Sequence, residues 1–103
     1  MSDIKKARDA LETRILRGDG NSAHALRRAA FENSGLAEPL KGLTNKVARH
    51  AYKVTDEDFA GVKAAGLTEE EIFEIVVCAA IGQATRQYDS GLKALAAASS
   101  GKE

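Results

Sequence analysis

Apolar residues recur at every third or fourth position along most of the chain, which is the spacing of one helix face. Five helices are predicted on this basis, at about 3–16, 22–34, 38–54, 56–65 and 69–97, followed by a small, polar tail that frays. No segment alternates between apolar and polar residues with period two over a useful length. The predicted fold class is therefore all-α.

Two capping signals predict a helix hairpin in the second half of the chain. Thr55 is followed three residues later by Asp58, and Thr68 by Glu71, which is the spacing of a capping box at a helix N-terminus. Gly66 lies between them and is a natural end for the first helix of the pair. A short helix is thus expected to turn tightly into the long final helix.

The final helix is predicted to be the central one, because residues 72–81 are apolar nearly all round and so need burial on several sides. Glycine inside an exposed helix costs about 1 kcal/mol relative to alanine, so Gly82 predicts a neighbouring helix or subunit at close range. Cys78 is interpreted as a packing residue, because a thiol buried among apolar neighbours is unreactive.

The length and the net charge of the chain indicate a single domain that does not bind nucleic acid or a membrane surface. The 103 residues form one domain, 1–103, and the 15 basic and 15 acidic residues cancel, so no long-range field attracts nucleic acid or an anionic membrane. The helix, glycine turn and Thr-capped helix around Gly66 resemble a helix-turn-helix, but the second of these helices begins with three glutamates, which repel phosphates.

The longest apolar run, 75–82, is too short for a membrane span of about 20 residues. Neither nucleic acid nor membrane is an expected partner.

Cysteine and histidine content argues against redox pairs and metal centres. A single cysteine excludes an internal disulfide framework, and the first residues lack the apolar core of a signal peptide, so a cytoplasmic location is expected. Two histidines 26 residues apart with one cysteine have no metal-ligand spacing. We therefore expect no metal and no cofactor.

Three residues are candidates for a small-molecule site. His50 lies at the edge of the apolar stripe of the third helix, where its imidazole either faces a pocket or is a partly buried structural group. Gln83 and Arg86 lie where one stripe of the final helix turns from apolar to polar. They either bind an anionic or carbonyl ligand or mark the point where the helix leaves the core.

The segment from His50 to Val77 resembles the carboxymuconolactone decarboxylase and alkylhydroperoxidase D family, most specifically in Ala64-Ala-Gly-Leu-Thr-Glu-Glu-Glu-Ile72. The resemblance covers roughly 36–95, with two short helices before it in 1–35. It implies an alkylhydroperoxidase D-like helical bundle, a helix hairpin followed by a long central helix, that assembles into homo-oligomers such as trimers or hexamers. It also implies a site between helices for a small-molecule substrate.

The resemblance does not extend to the redox residues of the peroxidase branch. That branch has a C-x-x-C pair and a histidine ahead of the hairpin, and the corresponding positions here hold Ala51, Val54 and Asp58. Thiol peroxidase activity is therefore not expected.

The decarboxylase branch resembles cofactor-free acid–base catalysts and is less affected by that loss. One hypothesis is proton transfer on a small carboxylated or carbonyl substrate, with His50 as acid or base and Arg86 with Gln83 orienting the anion. The competing hypothesis is a non-catalytic oligomeric binding or structural protein whose site has decayed.

Overall fold

The computed structural model describes the backbone of residues 2–101 and the side chains of 4–99. Over this range the chain is all-α with no strand, as predicted. The helices are α1 (Ser2–Arg17), α2 (His24–Glu32), α3 (Leu40–Arg49), α4 (Asp56–Ala64) and α5 (Glu69–Gly101), with a 3-10 turn at Ala51–Lys53.

Both predicted capping boxes are present. The hydroxyl oxygen of Thr55 accepts a hydrogen bond from the Asp58 amide at 3.3 Å, and Asp58 Oδ2 accepts one from the Thr55 amide at 2.9 Å. Thr68 and Glu71 form the same reciprocal pair at 3.2 and 2.9 Å. Gly66, with φ of 111°, provides the left-handed turn between α4 and α5. These local bonds set the hairpin.

Five helix limits differ from the prediction by two residues or more. α2 spans His24–Glu32 and is shorter than the predicted 22–34 at both ends. α3 begins at Leu40 and ends at Arg49, so the predicted range of 38–54 is wrong at both ends. His50 leaves the helical region with φ of −147° and ψ of 56°, and the chain continues as the short 3-10 turn. α5 remains helical through Gly101, past the predicted start of the frayed tail, because its run of alanines favours the helix. Residues 102–103 lie outside the described residues.

The core forms along one face of α5. The other four helices all pack against α5, most extensively α2. Its buried side chains are Ile72, Ile75, Cys78 and Ala79, packed with residues such as Leu43 and Val62. The prediction of a central helix is confirmed for this face. Within the subunit the helix is buried on this side only, since Phe73 on the opposite face is 69% exposed. Burial on several sides stays a prediction that depends on the oligomer.

Candidate functional site

His50 lies at the end of α3, outside the helix, and its side chain is exposed. Its ring packs edge-to-face against Tyr52 with the centroids 6.0 Å apart, and Tyr52 is itself 81% exposed. The imidazole is thus exposed rather than partly buried in the subunit. A catalytic role for His50 stays a prediction.

Gln83 and Arg86 are brought together, as neighbours one turn apart on α5 should be. Arg86 Nη2 donates to Gln83 Oε1 at 2.9 Å, and Nη1 donates to the main-chain carbonyl of Phe31 at 2.5 Å. Phe31 is in the last turn of α2, where carbonyl groups lack a partner within the helix. Arg86 therefore caps α2 from outside, and Gln83 accepts the second hydrogen bond of its guanidinium. No hydrogen bond joins His50 to it.

Cys78 is a core residue, as predicted. It is 1% exposed, and its Sγ lies 3.6 Å from the carbonyl oxygen of Ile15 on α1. Burial, partly opposed by nearby Arg27, raises the pKa of the thiol. A buried thiol with a raised pKa is a poor nucleophile at neutral pH.

A buried ionic cluster that was not predicted from the sequence joins α2, α5 and the loop between α1 and α2. The Arg27 side chain is 3% exposed and lies 3.6 Å from the Glu74 carboxylate. Its Nε donates to the Ser22 hydroxyl at 3.0 Å, and its Nη1 and Nη2 donate to the carbonyls of Gly18 and Ser22 at 2.6 and 3.1 Å. This buried cation therefore has a partner at every nitrogen, as burial of a charge requires.

Glu74 holds the same loop from the other side. Its Oε1 accepts hydrogen bonds from the Ser22 amide at 2.7 Å and the Ser22 hydroxyl at 2.6 Å, and Oε2 accepts one from the Asn21 amide at 2.8 Å. Burial raises the pKa of Glu74, but the hydrogen bonds from Ser22 and Asn21 outweigh it, so the pKa lies below its ordinary value. An ionised carboxylate with these partners is a structural anchor and a weak proton acceptor.

The cluster changes where α2 begins, and one of its members could have been recognised in the sequence. The second helix was predicted to begin at residue 22, yet Ser22 lies before it and Ala23 is the N-cap, without a side-chain bond. The Ser22 hydroxyl instead donates to Glu74. Glu74 is the one charged residue within the apolar run 72–81. A charge in such a run predicts a buried partner, although not which one.

A cleft of about 470 Å³ opens beside this cluster, between α1 and the start of α5. Leu11, Ile15, Phe73 and Val77 form apolar walls, while Arg14 and Asp19 contribute polar groups. The volume suits a small, largely apolar molecule. Arg27 and Glu74 also line this cleft, but both are already bonded to protein partners.

Comparisons with known proteins add no relative. No protein-family model matches the chain, and no curated protein or solved structure is significantly similar to it.

Two further features bear on the site. Among the described side chains, no three acidic, histidine or cysteine residues cluster as metal ligands would. No described helix is long and apolar enough to cross a bilayer.

Proposed function

We propose that this chain is the subunit of a homo-oligomeric binding or structural protein, and that the outward face of α5 joins the copies. We call this the outer face. Its residues recur along α5 at intervals of four, three, four, four, three and four: Phe73, Val77, Ala80, Ala84, Tyr88, Gly91 and Leu95. All are exposed except Val77, which is half-buried. This spacing is that of a seam between packed helices.

The distribution of charge on α5 carries the proposal. Beyond its first turn, the charged residues of α5 within the described side chains are Glu74, Arg86, Asp89 and Lys93. At about 100° per residue, Arg86, Asp89 and Lys93 project from the half of the helix that faces the core, opposite the outer face, whereas Glu74 lies at the boundary between the two halves. Glu74 and Arg86 bond to α2 and its loop, and Asp89 pairs with Arg8 of α1 at 2.6 Å.

The surface helix of a monomer has the reverse arrangement, with charges directed to solvent and apolar residues to the core. Beyond its first turn, α5 contributes no charged side chain to the outer face, although Arg8 of α1 lies 5.3 Å from the ring of Tyr88. An apolar face of this kind, directed away from the core, favours a protein partner. The small residues Ala80, Ala84 and Gly91 allow a second helix to approach closely. A second copy of α5 matches this face in length and lack of charge.

The area of the exposed surface also supports a homo-oligomer. A monomer of 10.9 kDa is expected to expose roughly 5,600 Å², and this chain exposes 6955 Å². Its radius of gyration is 15.8 Å, against about 13 Å for a compact domain of this length. The excess exceeds the area of about 800 Å² that each partner buries in a standard interface.

Sedimentation velocity at micromolar concentration tests the proposal. We expect the wild-type chain to sediment as an oligomer and the Phe73→Glu/Ala84→Glu variant as a monomer, because each contact would bury unpaired carboxylates. Tyr52→Glu is the matched control, since Tyr52 is an exposed aromatic residue away from α5, and it should remain oligomeric. Circular dichroism confirms that the variants stay helical. A monomeric wild type, or an unchanged mass for the outer-face variant, contradicts the proposal.

Membership of the carboxymuconolactone decarboxylase and alkylhydroperoxidase D family remains part of this proposal. The hairpin of α4 and α5 supports it, since both capping boxes and the turn at Gly66 adopt the form that the resemblance implies. Whether the oligomer is a trimer or a hexamer, and whether it is cytoplasmic, stay predictions.

Acid–base catalysis receives less support from the geometry than binding does. His50 is exposed, and the Arg86 guanidinium donates to protein acceptors at both terminal nitrogens. Proton transfer by His50 on a small carboxylated or carbonyl substrate oriented by Gln83 and Arg86 stays a prediction. For this reason we favour the non-catalytic function.

A further inference from the structure

A polar cleft of about 500 Å³ opens between α3 and the loop that joins it to α2. Its volume falls within the range of small-molecule sites. No residue of α5 lines it, so it is separate from the outer face and from the cluster around Arg27.

One wall of the cleft is a basic stripe on α3. Lys41, Asn45 and Arg49 are four residues apart, share one helix face, and are all exposed. Since an α-helix rises about 1.5 Å per residue, the two cations originate about 12 Å apart along the axis. Within the described side chains the ion pairs involve other cations, namely Arg8, Arg27, Arg28, Lys46 and Lys63. The cleft thus contains two basic groups without an acidic partner.

The one acidic residue in the lining is already engaged. Glu38 Oε1 accepts a hydrogen bond from the Gly42 amide at 2.8 Å, at the start of α3. Counting Lys41 and Arg49 against Glu38, the lining has an excess of one positive charge in a chain whose net charge is zero. This local excess favours an anionic ligand.

The opposite wall provides neutral hydrogen-bonding groups. Asn33 ends α2 in the left-handed conformation, with φ of 53°, and its Nδ2 donates to Asn45 Oδ1 at 3.4 Å across the cleft. Ser34 follows in the same wall. A cationic wall facing amide and hydroxyl groups is the composition that recognises phosphate and carboxylate oxygens.

We propose that this cleft binds a small organic molecule with two or more anionic groups, held by Lys41 at one end and Arg49 at the other. Two separated cations fit a dianion better than a single charge. The volume also exceeds the need of one inorganic oxyanion. Phosphate and carboxylate groups share the required chemistry, and the experiment distinguishes them.

Amide NMR titrations of the full chain at constant ionic strength test the proposal, with pyrophosphate in one series and citrate in the other. We expect saturable shifts at the amides of Ser34, Lys41 and Asn45, and the probe that binds more tightly identifies the anionic group. Shifts that fail to saturate with either probe overturn the proposal.

Charge variants separate a defined site from general attraction. Lys41→Gln/Arg49→Gln should weaken binding at least about tenfold, since charge-assisted hydrogen bonds are lost at both ends. Lys5→Gln/Lys6→Gln removes the same charge from exposed positions on α1 and should leave affinity unchanged. Glu38→Gln should tighten binding, because it removes the one repulsive charge. Equal weakening in the two lysine-containing double variants overturns the proposal. Because these residues lie off the outer face, sedimentation remains an independent test of the oligomer.

Discussion

Gly82 of α5 lies directly against the main-chain carbonyl of Phe31 in α2, so that a Cβ at this position would overlap the carbonyl oxygen. Arg86, one turn further along α5, donates a hydrogen bond to the same oxygen. The end of α2 is thus held against α5 by the close approach at Gly82 and by the hydrogen bond from Arg86 one turn later. The prediction that a neighbouring helix lies against Gly82 is confirmed.

Replacing Gly82 should therefore destabilise the fold. Gly82→Leu is expected to lower the free energy of unfolding by about 1 to 3 kcal/mol or more, because α2 must move to admit the side chain. Gly61→Ala in α4 is the control, since a Cβ there meets nothing within 4 Å and should stabilise by up to about 1 kcal/mol. Thermal melts at equal concentration compare them. A raised midpoint for Gly82→Leu would show that α2 does not pack there.

Removing the external cap of α2 should also reduce stability. Arg86→Met leaves the Phe31 carbonyl without its donor, at an expected cost of about 1 to 3 kcal/mol. Lys93→Met, which removes an exposed cation from α5, should change stability by less than about 0.5 kcal/mol. Urea unfolding measures both. Equal stability of Arg86→Met and the wild type would contradict the capping role and favour Arg86 as a ligand-binding group.

Glu74 should contribute to the loss of stability in acid. In the unfolded chain Glu74 binds a proton near its ordinary pKa of 4.5, whereas in the folded protein its pKa is lower. The unfolded state therefore takes up the proton first, and the contribution present above that pH disappears as pH falls through the folded pKa.

Glu74→Gln should thus destabilise at neutral pH, by about 1 to 3 kcal/mol, because the amide group faces the Asn21 and Ser22 donors. Below the ordinary pKa its stability should fall less steeply than that of the wild type. Urea unfolding at a series of pH values measures this slope, with Glu70→Gln, an exposed carboxylate in the first turn of α5, as control. Parallel curves for wild type and Glu74→Gln would exclude the anchoring role.

Cys78 should not support peroxide reduction. The thiol is buried, its pKa is raised by that burial, and the positions of the C-x-x-C pair hold Ala51 and Val54. We expect dithiol-dependent peroxide consumption at background level and slow modification of the thiol until the protein is unfolded. Consumption above background that disappears in Cys78→Ser would contradict this.

The hairpin was predictable because its determinants are local. Thr55 bonds to Asp58 and Thr68 to Glu71 across three residues, so neighbouring positions in the sequence are sufficient to encode both helix starts. The burial of Cys78 and the close packing at Gly82 were predictable for a related reason. A small or apolar residue inside an apolar run is expected in a packed core, because the surrounding residues are themselves buried.

The candidate site depended on contacts between distant parts of the chain. Ser22 bonds to Glu74, 52 residues away, rather than to its own helix, and Arg86 bonds to the carbonyl of Phe31, 55 residues away. The helical period shows that Gln83 and Arg86 lie on the same polar face of the helix. It does not show that the carbonyl group of Phe31 in α2 packs against that face. Likewise, the residues of the outer face recur at helical intervals in the sequence, but their direction away from the core was decided by the packing of α1, α2 and α3 against α5. Short-range hydrogen bonds are determined by adjacent residues, but the choice of partner over long separations is made when the helices pack.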